Sequence, residues 1–367
     1  MNERIVVKIG SSSLTSEEGG LNRARVDFFA GELASLHRTG RQVLLVTSGA
    51  VAAGFRKIGY PARPKQLHEK QAAAAVGQAL LMQAYQEAFG ESGIVAAQIL
   101  LTRHDFSNRQ RIHNALMALE ELLRRGVVPI INENDTVTVE GLKFGDNDNL
   151  SALVANLVRA KKLIILTDTD GLYTDDPRRN PDARRIDRVT EISERIMAIA
   201  GGAGSAVGTG GMRSKIEAAR VAMRGGVQAF VGKASEPGDL LAAVEGRGRG
   251  TYFDTDFHNL SMKKQWIGFH STPNGRITVD DGAARALVSE GRSLLPAGIL
   301  GAEGEFHPGD VVEVVDPDGV PIGRGVVNYA SWQVQASAGL STDEVRKRVD
   351  VVRIEVIHRD EWVSFPR

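Results

Sequence analysis

The sequence predicts an α/β protein: an open, mainly parallel sheet sandwiched by helices, followed by a small β-rich domain. Three observations carry that reading. Runs of Val, Ile and Leu alternate with helical patterns through the first two thirds of the chain, and such runs suit parallel strands buried on both faces between helix layers. Glycine, serine and acid-rich turns follow several of those runs, at the strand ends where open α/β sheets bind ligands. From about Ser271 the segments shorten and turn signals multiply.

In chain order, "RIVVKIG" reads as a strand and "RVDFFAGELASLHRTG" as a helix stopped by Gly40. "QVLLVTSG" is the next strand, and "HEKQAAAAVGQALLMQAYQEAF" a long Ala-rich helix. "IVAAQILL" is a strand, and "RQRIHNALMALEELLRRG" a helix stopped by Gly126. "VVPIIN" is a strand, "NLSALVANLVRA" a helix and "KLIILTD" a strand. "GMRSKIEAARVAMRGG" is a helix that leads into the strand "VQAFV". These make one α/β domain over residues 1–254, with 255–270 as a linker. Residues 271–367 form the β-rich domain, where "DVVEVVD", "VPIGRGVVNY" and "VVRIEVIHRD" read as strands between the turns "PNGR", "HPGD" and "DPDG".

Composition narrows the function classes. The chain of 367 residues is 42% hydrophobic and 25% charged, as a globular protein is. Lys plus Arg and Asp plus Glu number 45 each, so no global field draws it to nucleic acid or to an anionic membrane. With no cysteine, disulfides, thiolate catalysis and Cys-ligated zinc are excluded. No apolar run approaches a membrane span, and the N-terminus enters a strand pattern without a signal-peptide core, so a cytoplasmic location is expected.

Four strand ends point to one crevice: Gly10–Ser13, Thr47–Ala50, Asn132–Asp135 and Thr167–Gly171. Lys8 lies between Val7 and Ile9 in a buried strand, which is costly unless the ammonium is paired. Gly10 lets the backbone approach an anion. Ser48 and Gly49 offer a hydroxyl and an unhindered turn before a helix. "GTGGMRSK" places Lys215 just inside another helix start, where the dipole disfavours a cation unless an anion is present. Two lysines and three Gly-containing loops suggest phosphoryl transfer, which needs positioning and charge neutralisation more than covalent help. "GDNDNLSA" gathers Asp146, Asn147, Asp148 and Asn149 at a helix start, more acceptors than one cap requires. Asp146 and Asp148 are candidates to hold and orient the lysines, with Mg²⁺ binding and plain capping as alternatives. Asp168 is a candidate for the same task or for a place near the metal, and Asn147 and Asp135 for an ammonium-bearing substrate. The eight His residues show no paired ligand spacing, so no residue is assigned to a protein metal site.

The motifs "VVKIGSSSLT", "VTSGAVAAG", "KQAAAAVGQ", "LLTRHDF", "PIINENDTV", "FGDNDNLSALVA", "LTDTDGLYTDDPR" and "GTGGMRSKIEAA" resemble the glutamate 5-kinases of the amino-acid kinase superfamily. "GRITVDDGAARALVSEGRSLLPAGI" resembles the PUA domain that many bacterial members carry. The resemblance implies the amino-acid kinase fold and phosphorylation of the L-glutamate side-chain carboxylate by ATP with Mg²⁺, the first step of proline synthesis. It implies Lys8 and Lys215 as transition-state stabilisers organised by Asp148 and Asp146. Ser48, Gly49, Asp135 and Asn147 would bind glutamate. Lys8, Gly10, Thr167, Asp168, Thr209, Gly210, Gly211, Met212, Arg213, Ser214 and Lys215 would bind ATP.

Inhibition by proline, a dimer or tetramer, and handover to glutamate-5-semialdehyde dehydrogenase are further expectations of the resemblance. The neighbouring alternatives are acetylglutamate, aspartate, carbamate and uridylate kinases; Asp135 and Asn147 favour a free α-amino acid. PUA domains elsewhere bind RNA, but residues 271–350 hold 7 Lys/Arg against 12 Asp/Glu, the wrong balance for that partner.

Overall fold

The computed structural model describes residues 3–16, 18–137, 147–177, 180–201, 211–255, 264, 266–271 and 273–365. The backbone divides into two compact units, Met1–Asp105 with Gln110–Asn259 and Phe106–Arg109 with Leu260–Arg367.

In the first unit the strands are β1 (Arg4–Ile9), β2 (Gln42–Thr47), β3 (Ala96–Leu101), β4 (Val128–Glu133), β5 (Lys162–Leu166), β6 (Arg188–Val189), β7 (Gln228–Gly232) and β8 (Gly250–Phe253). They form one sheet in the order β3-β4-β2-β1-β5-β7-β8-β6. Every pairing is parallel except β7 with β8. The short strands β6 and β8 carry too few residues to show in an apolar pattern. The helices are α1 (Ser11–Leu14), α2 (Arg23–Arg38), α3 (Ala50–Gly54), α4 (Leu67–Gly90), α5 (Arg103–Ser107), α6 (Arg109–Arg124), α7 (Asn147–Leu157), α8 (Glu194–Ala200), α9 (Met212–Arg224) and α10 (Asp239–Val244).

The chain leaves β1 for β2 on one side and returns from β4 to β5 on the other. The strand order therefore reverses beside β1, and ligands bind outside the carboxyl ends of strands at such a point. The central strands have buried Val, Ile and Leu on both faces, as double coverage demands.

Local chemistry sets the helices that frame this edge. Asn22 caps α2, its side chain accepting from the Arg25 N–H. The buried Glu32 of α2 takes the Gly238 and Leu240 N–H groups at 2.9 and 3.0 Å, satisfying the start of α10. Gly54 and Gly77 let α3 and α4 cross at backbone contact: a Cβ on Gly77 would lie 1.7 Å from the Ala50 carbonyl, and one on Gly54 2.0 Å from that of Ala73. That crossing seats the turn at Ser48 and Gly49, where Gly49 has φ +112°, a conformation L side chains rarely adopt.

The second unit is a five-stranded sheet, β10-β9-β11-β12-β13, of β9 (Gly275–Val279), β10 (Ile299–Gly304), β11 (Val311–Val315), β12 (Pro321–Val327) and β13 (Ile357–Ser364). Only β9 and β11 pair in parallel. Its own core includes Ile277, Val312, Val314, Tyr329 and Trp362. The strand expected over 351–360 begins only at Ile357. Upstream, Ile354 and Glu355 give their carbonyls to the Tyr329 hydroxyl and the Asn328 amide, and the Val356 N–H bonds Leu294. Loop partners satisfy that backbone in place of a ladder.

Candidate active site

β1 carries Lys8 one residue before its end, with the side chain only 5% exposed. A cation so deep needs a partner. It has one in Asp148, in the first turn of α7, whose carboxylate is fully buried and pairs with Lys8 through Oδ1. The other oxygen, Oδ2, accepts from the Lys215 ammonium at 3.2 Å and from the Ser214 hydroxyl at 2.8 Å, both in the first turn of α9. Residues about 140 and 67 positions from their partner in sequence thus converge on one carboxylate. Among the described residues, two ammonium groups meet one carboxylate here, an excess of positive charge in a buried place that suits an anion.

The surrounding backbone keeps that place open. A Cβ on Gly10 would stand 3.4 Å from the Lys8 ammonium. α7 and α9 run side by side in the same sense: Asp148 meets Lys215 at one end, and the Asn156 amide donates to the Val221 carbonyl at 2.9 Å near the other. Gly225 accommodates this contact, since a Cβ there would fall 2.3 Å from the Asn156 side chain. The N-terminal ends of both helices accompany the lysines, and their backbone dipoles favour an anion there.

A second cluster adjoins Asp148 through its neighbour. The buried Asn147 donates its amide to the Thr47 carbonyl, to Ser48 Oγ at 3.0 Å and to Asn132 Oδ1 at 2.8 Å. This draws together the ends of β2 and β4 and the start of α7. Asp135 is half-buried just beyond β4. Burial pushes its carboxyl up to about 6, against the pull of the Arg63 charge. Its acceptor capacity suits a cationic group.

Thr167 and Asp168 follow β5; the Thr167 hydroxyl donates to Asp168 at 3.0 Å, and Asp168 is exposed. Gly211 is the N-cap of α9 and Met212 its first residue. Arg213 turns along the helix to Glu217 at 3.2 Å. The Ser214 hydroxyl, expected at the nucleotide, is engaged with Asp148 and with the Gly211 carbonyl at 2.9 Å. Asp146, Thr209 and Gly210 lie outside the described residues.

The sequence reading assigned no role to Asn132, Gln78 or Asn156. "PIINEND" marked the first as a strand-end amide, whereas nothing in the Ala-rich α4 or the apolar α7 distinguished the other two.

The Amino acid kinase family matches residues 3–233, and the PUA domain family matches residues 275–349. The chain is 51% identical over 364 residues to a glutamate 5-kinase of Geobacillus kaustophilus (strain HTA426), covering 99% of this chain and 97% of that one. It is 50% identical over 364 residues to a glutamate 5-kinase of Geobacillus thermodenitrificans (strain NG80-2), with the same coverage of 99% and 97%. It is 48% identical over 363 residues to glutamate 5-kinase 1 of Bacillus subtilis (strain 168), covering 99% and 98%. A crystal structure of UMP kinase from Ureaplasma parvum aligns over 70% of this chain and 100% of that chain, at 13% identity and a TM-score of 0.47.

Proposed function

The chain belongs to the amino acid kinase family, among the glutamate 5-kinases, and carries a PUA domain after the kinase domain; from that premise we propose how its residues phosphorylate the side-chain carboxylate of L-glutamate with ATP. The observation that carries the assignment of roles is one buried carboxylate, that of Asp148, holding two ammonium groups from β1 and α9. Lys8 and Lys215 neutralise the phosphoryl oxygens in flight, and Asp148 fixes both lysines. One side-chain oxygen of glutamate forms the new O–P bond. The bond from the γ-phosphorus to the bridging oxygen breaks, and its electron pair leaves with ADP. The nucleophile is already ionised, its pKa being about 4.3, so no general base is needed.

Asp135 pairs with the substrate ammonium, and Asn147 and Ser48 complete the amino-acid site with the turn at Gly49. Gly10, Thr167, Asp168 and the start of α9 from Gly211 to Lys215 hold the nucleotide, and the reading extends to Thr209 and Gly210. Asp146 is proposed as a helper of Asp148. Mg²⁺ is assigned to the ATP phosphates as part of the substrate. Cations already occupy both oxygens of Asp148, and a metal ion there would have to displace them.

Division into a kinase domain over 1–254, a linker over 255–270 and a PUA-like domain over 271–367 belongs to the same proposal. So do proline inhibition, assembly as a dimer or tetramer, and delivery of the labile acyl phosphate to glutamate-5-semialdehyde dehydrogenase. Among the described residues no helix is long and apolar enough to cross a membrane; a cytoplasmic location is proposed.

The test is phosphoryl transfer from MgATP to glutamate, N-acetylglutamate, aspartate and UMP, with acyl phosphate trapped as hydroxamate and ADP release followed for all four. Glutamate is expected to have by far the highest kcat/KM. A preference for any of the other three would overturn the assignment.

A further inference from the structure

A row of four side-chain amides runs from the surface of the first unit to Asn147, its last member, and the backbone fixes the sense in which they are read. Gln98 on β3 accepts from Gln78 Nε2 at 3.0 Å. Gln78 on α4 accepts through Oε1 from Asn132 Nδ2 at 2.8 Å. Asn132 on β4 accepts through Oδ1 from Asn147 Nδ2 at 2.8 Å. A row of amides by itself can run either way, because the oxygen and the NH₂ exchange places on a flip. Here two groups of single polarity remove the choice. The Glu133 N–H can only donate, and it gives its hydrogen to Asn132 Oδ1 at 2.9 Å. The Thr47 carbonyl can only accept, and it takes Asn147 Nδ2.

Asn132 must therefore present its NH₂ to α4, and Gln78 must answer with oxygen. The two hydrogens of the Asn147 NH₂ are shared among Thr47, Ser48 and Asn132, which leaves its carbonyl oxygen, among the described residues, as the polar atom for a ligand. That oxygen can only accept, so it selects a group bearing N–H, such as the ammonium of a free α-amino acid.

We infer that Gln78 is a positioning residue for the amino-acid substrate: it accepts the NH₂ that the Glu133 N–H turns toward α4, and so supports the orientation of Asn132 and Asn147 in which the Asn147 carbonyl meets the substrate ammonium. The inference rests on the glutamate reading above. Asn132 and Asn147 are 2% and 6% exposed, so water is a poor substitute for a lost partner. Without the Gln78 oxygen, Asn132 either strands its NH₂ or flips, which sets NH₂ against the Glu133 N–H and the Asn147 NH₂. Gln78 acts at a distance of 54 residues in sequence from Asn132 and is only half-buried, so its replacement need not disturb the core.

The experiment compares Gln78→Met and Gln78→Glu in the full-length chain. Gln78→Met keeps the length and removes the acceptor; it is expected to raise the glutamate KM roughly tenfold, the worth of one lost buried hydrogen bond, with the ATP KM moving less than about twofold. Gln78→Glu still accepts from Asn132, and the exposed Gln98 can turn its NH₂ to the carboxylate. It is expected to bring the glutamate KM back to within about threefold of the unsubstituted chain. Competitive inhibition by glutarate, which has both carboxylates but no ammonium, is expected to be the same in all three proteins. Should Gln78→Met fold poorly by urea titration, Gln78→Ala carries the same expectations.

An unchanged glutamate KM in Gln78→Met overturns the inference. So do equal rises for glutamate and ATP, a Gln78→Glu variant as impaired as Gln78→Met, or a parallel loss of glutarate binding. If the unsubstituted chain phosphorylates no glutamate, the failure belongs to the functional reading and not to the amide relay.

Discussion

Replacing Asp148 by Asn isolates the charge on which the site is built. Asn keeps the shape of the side chain and an acceptor for the Ser214 hydroxyl, but it removes the counter-ion of two lysines that are each less than a tenth exposed. At the 3.2 Å separation of Lys215 and Asp148, one pair is worth about 5 kcal/mol at an effective dielectric constant of about 20. Much of that offsets the desolvation of both partners. Removing one side of a buried pair leaves the desolvation uncompensated and costs about 3–5 kcal/mol.

Asp148→Asn is therefore expected to lower the free energy of unfolding by about 3–5 kcal/mol in urea titration without ligands. Turnover is expected to fall at least about 100-fold, the usual cost of losing one preorganised charge-stabilising group. Saturating ATP should recover more stability in the variant than in the unsubstituted chain, because its phosphates re-pair the lysines. A variant within about 1 kcal/mol of the unsubstituted stability, turning over within about threefold of its rate, would refute the reasoning. The lysines would then be held by something other than Asp148.

Three other expectations follow from separate parts of the molecule. Because burial raises the folded-state Asp135 pKa from its ordinary 3.8 to about 6, the stabilisation from its protonation is complete below pH 3.8 and is lost as pH rises through 6. Binding has the opposite sense: the ammonium needs the ionised carboxylate, so the glutamate KM, measured from pH 5 to 8, should climb below about pH 6, and Asp135→Asn should raise it and flatten the profile. Gly77→Ala drives a Cβ to 1.7 Å from the Ala50 carbonyl. It should cost at least about 2 kcal/mol in urea titration and raise the glutamate KM, because α3 leads directly from the Ser48 turn; an unchanged KM would separate that crossing from the site. Arg159 sits at φ 50° just past α7, where the Ala160 N–H bonds the Ala155 carbonyl at 2.8 Å. Arg159→Gly should stabilise the chain by about 0.5–1 kcal/mol, and a lower urea midpoint would contradict the strain argument.

The parts of this site that could be read in the sequence were those with a local cause. Lys8 stood out because an ammonium inside "IVVKIG" violates strand burial, and Lys215 because a cation at a helix start opposes the dipole. Gly49 stood out as a turn residue, and φ +112° is the conformation that turn adopts. The acid cluster was visible as a surplus, but nothing local separated one acid from another as the partner of the lysines. Ser214 was read with its neighbours as nucleotide loop; its hydroxyl on Asp148 depends on α7 lying beside α9.

In the second unit, β13 starts later than the apolar pattern suggests because Asn328, Tyr329 and Leu294 supply the upstream backbone with partners from other segments. Gln78 and Asn156 gave no signal at all, since an amide in a helix looks the same whether it faces water or a buried carbonyl.

Alternating apolar runs, stop signals and strand-end loops are set by steric and burial rules that act over a few residues, so the sequence alone determined the layered α/β architecture and the edge where chemistry gathers. Which carboxylate meets which ammonium, which way each amide is turned, and where two helices touch through glycine depend on groups up to 140 positions apart. Closing such distances is the work of the whole fold, and only the tertiary structure decided them.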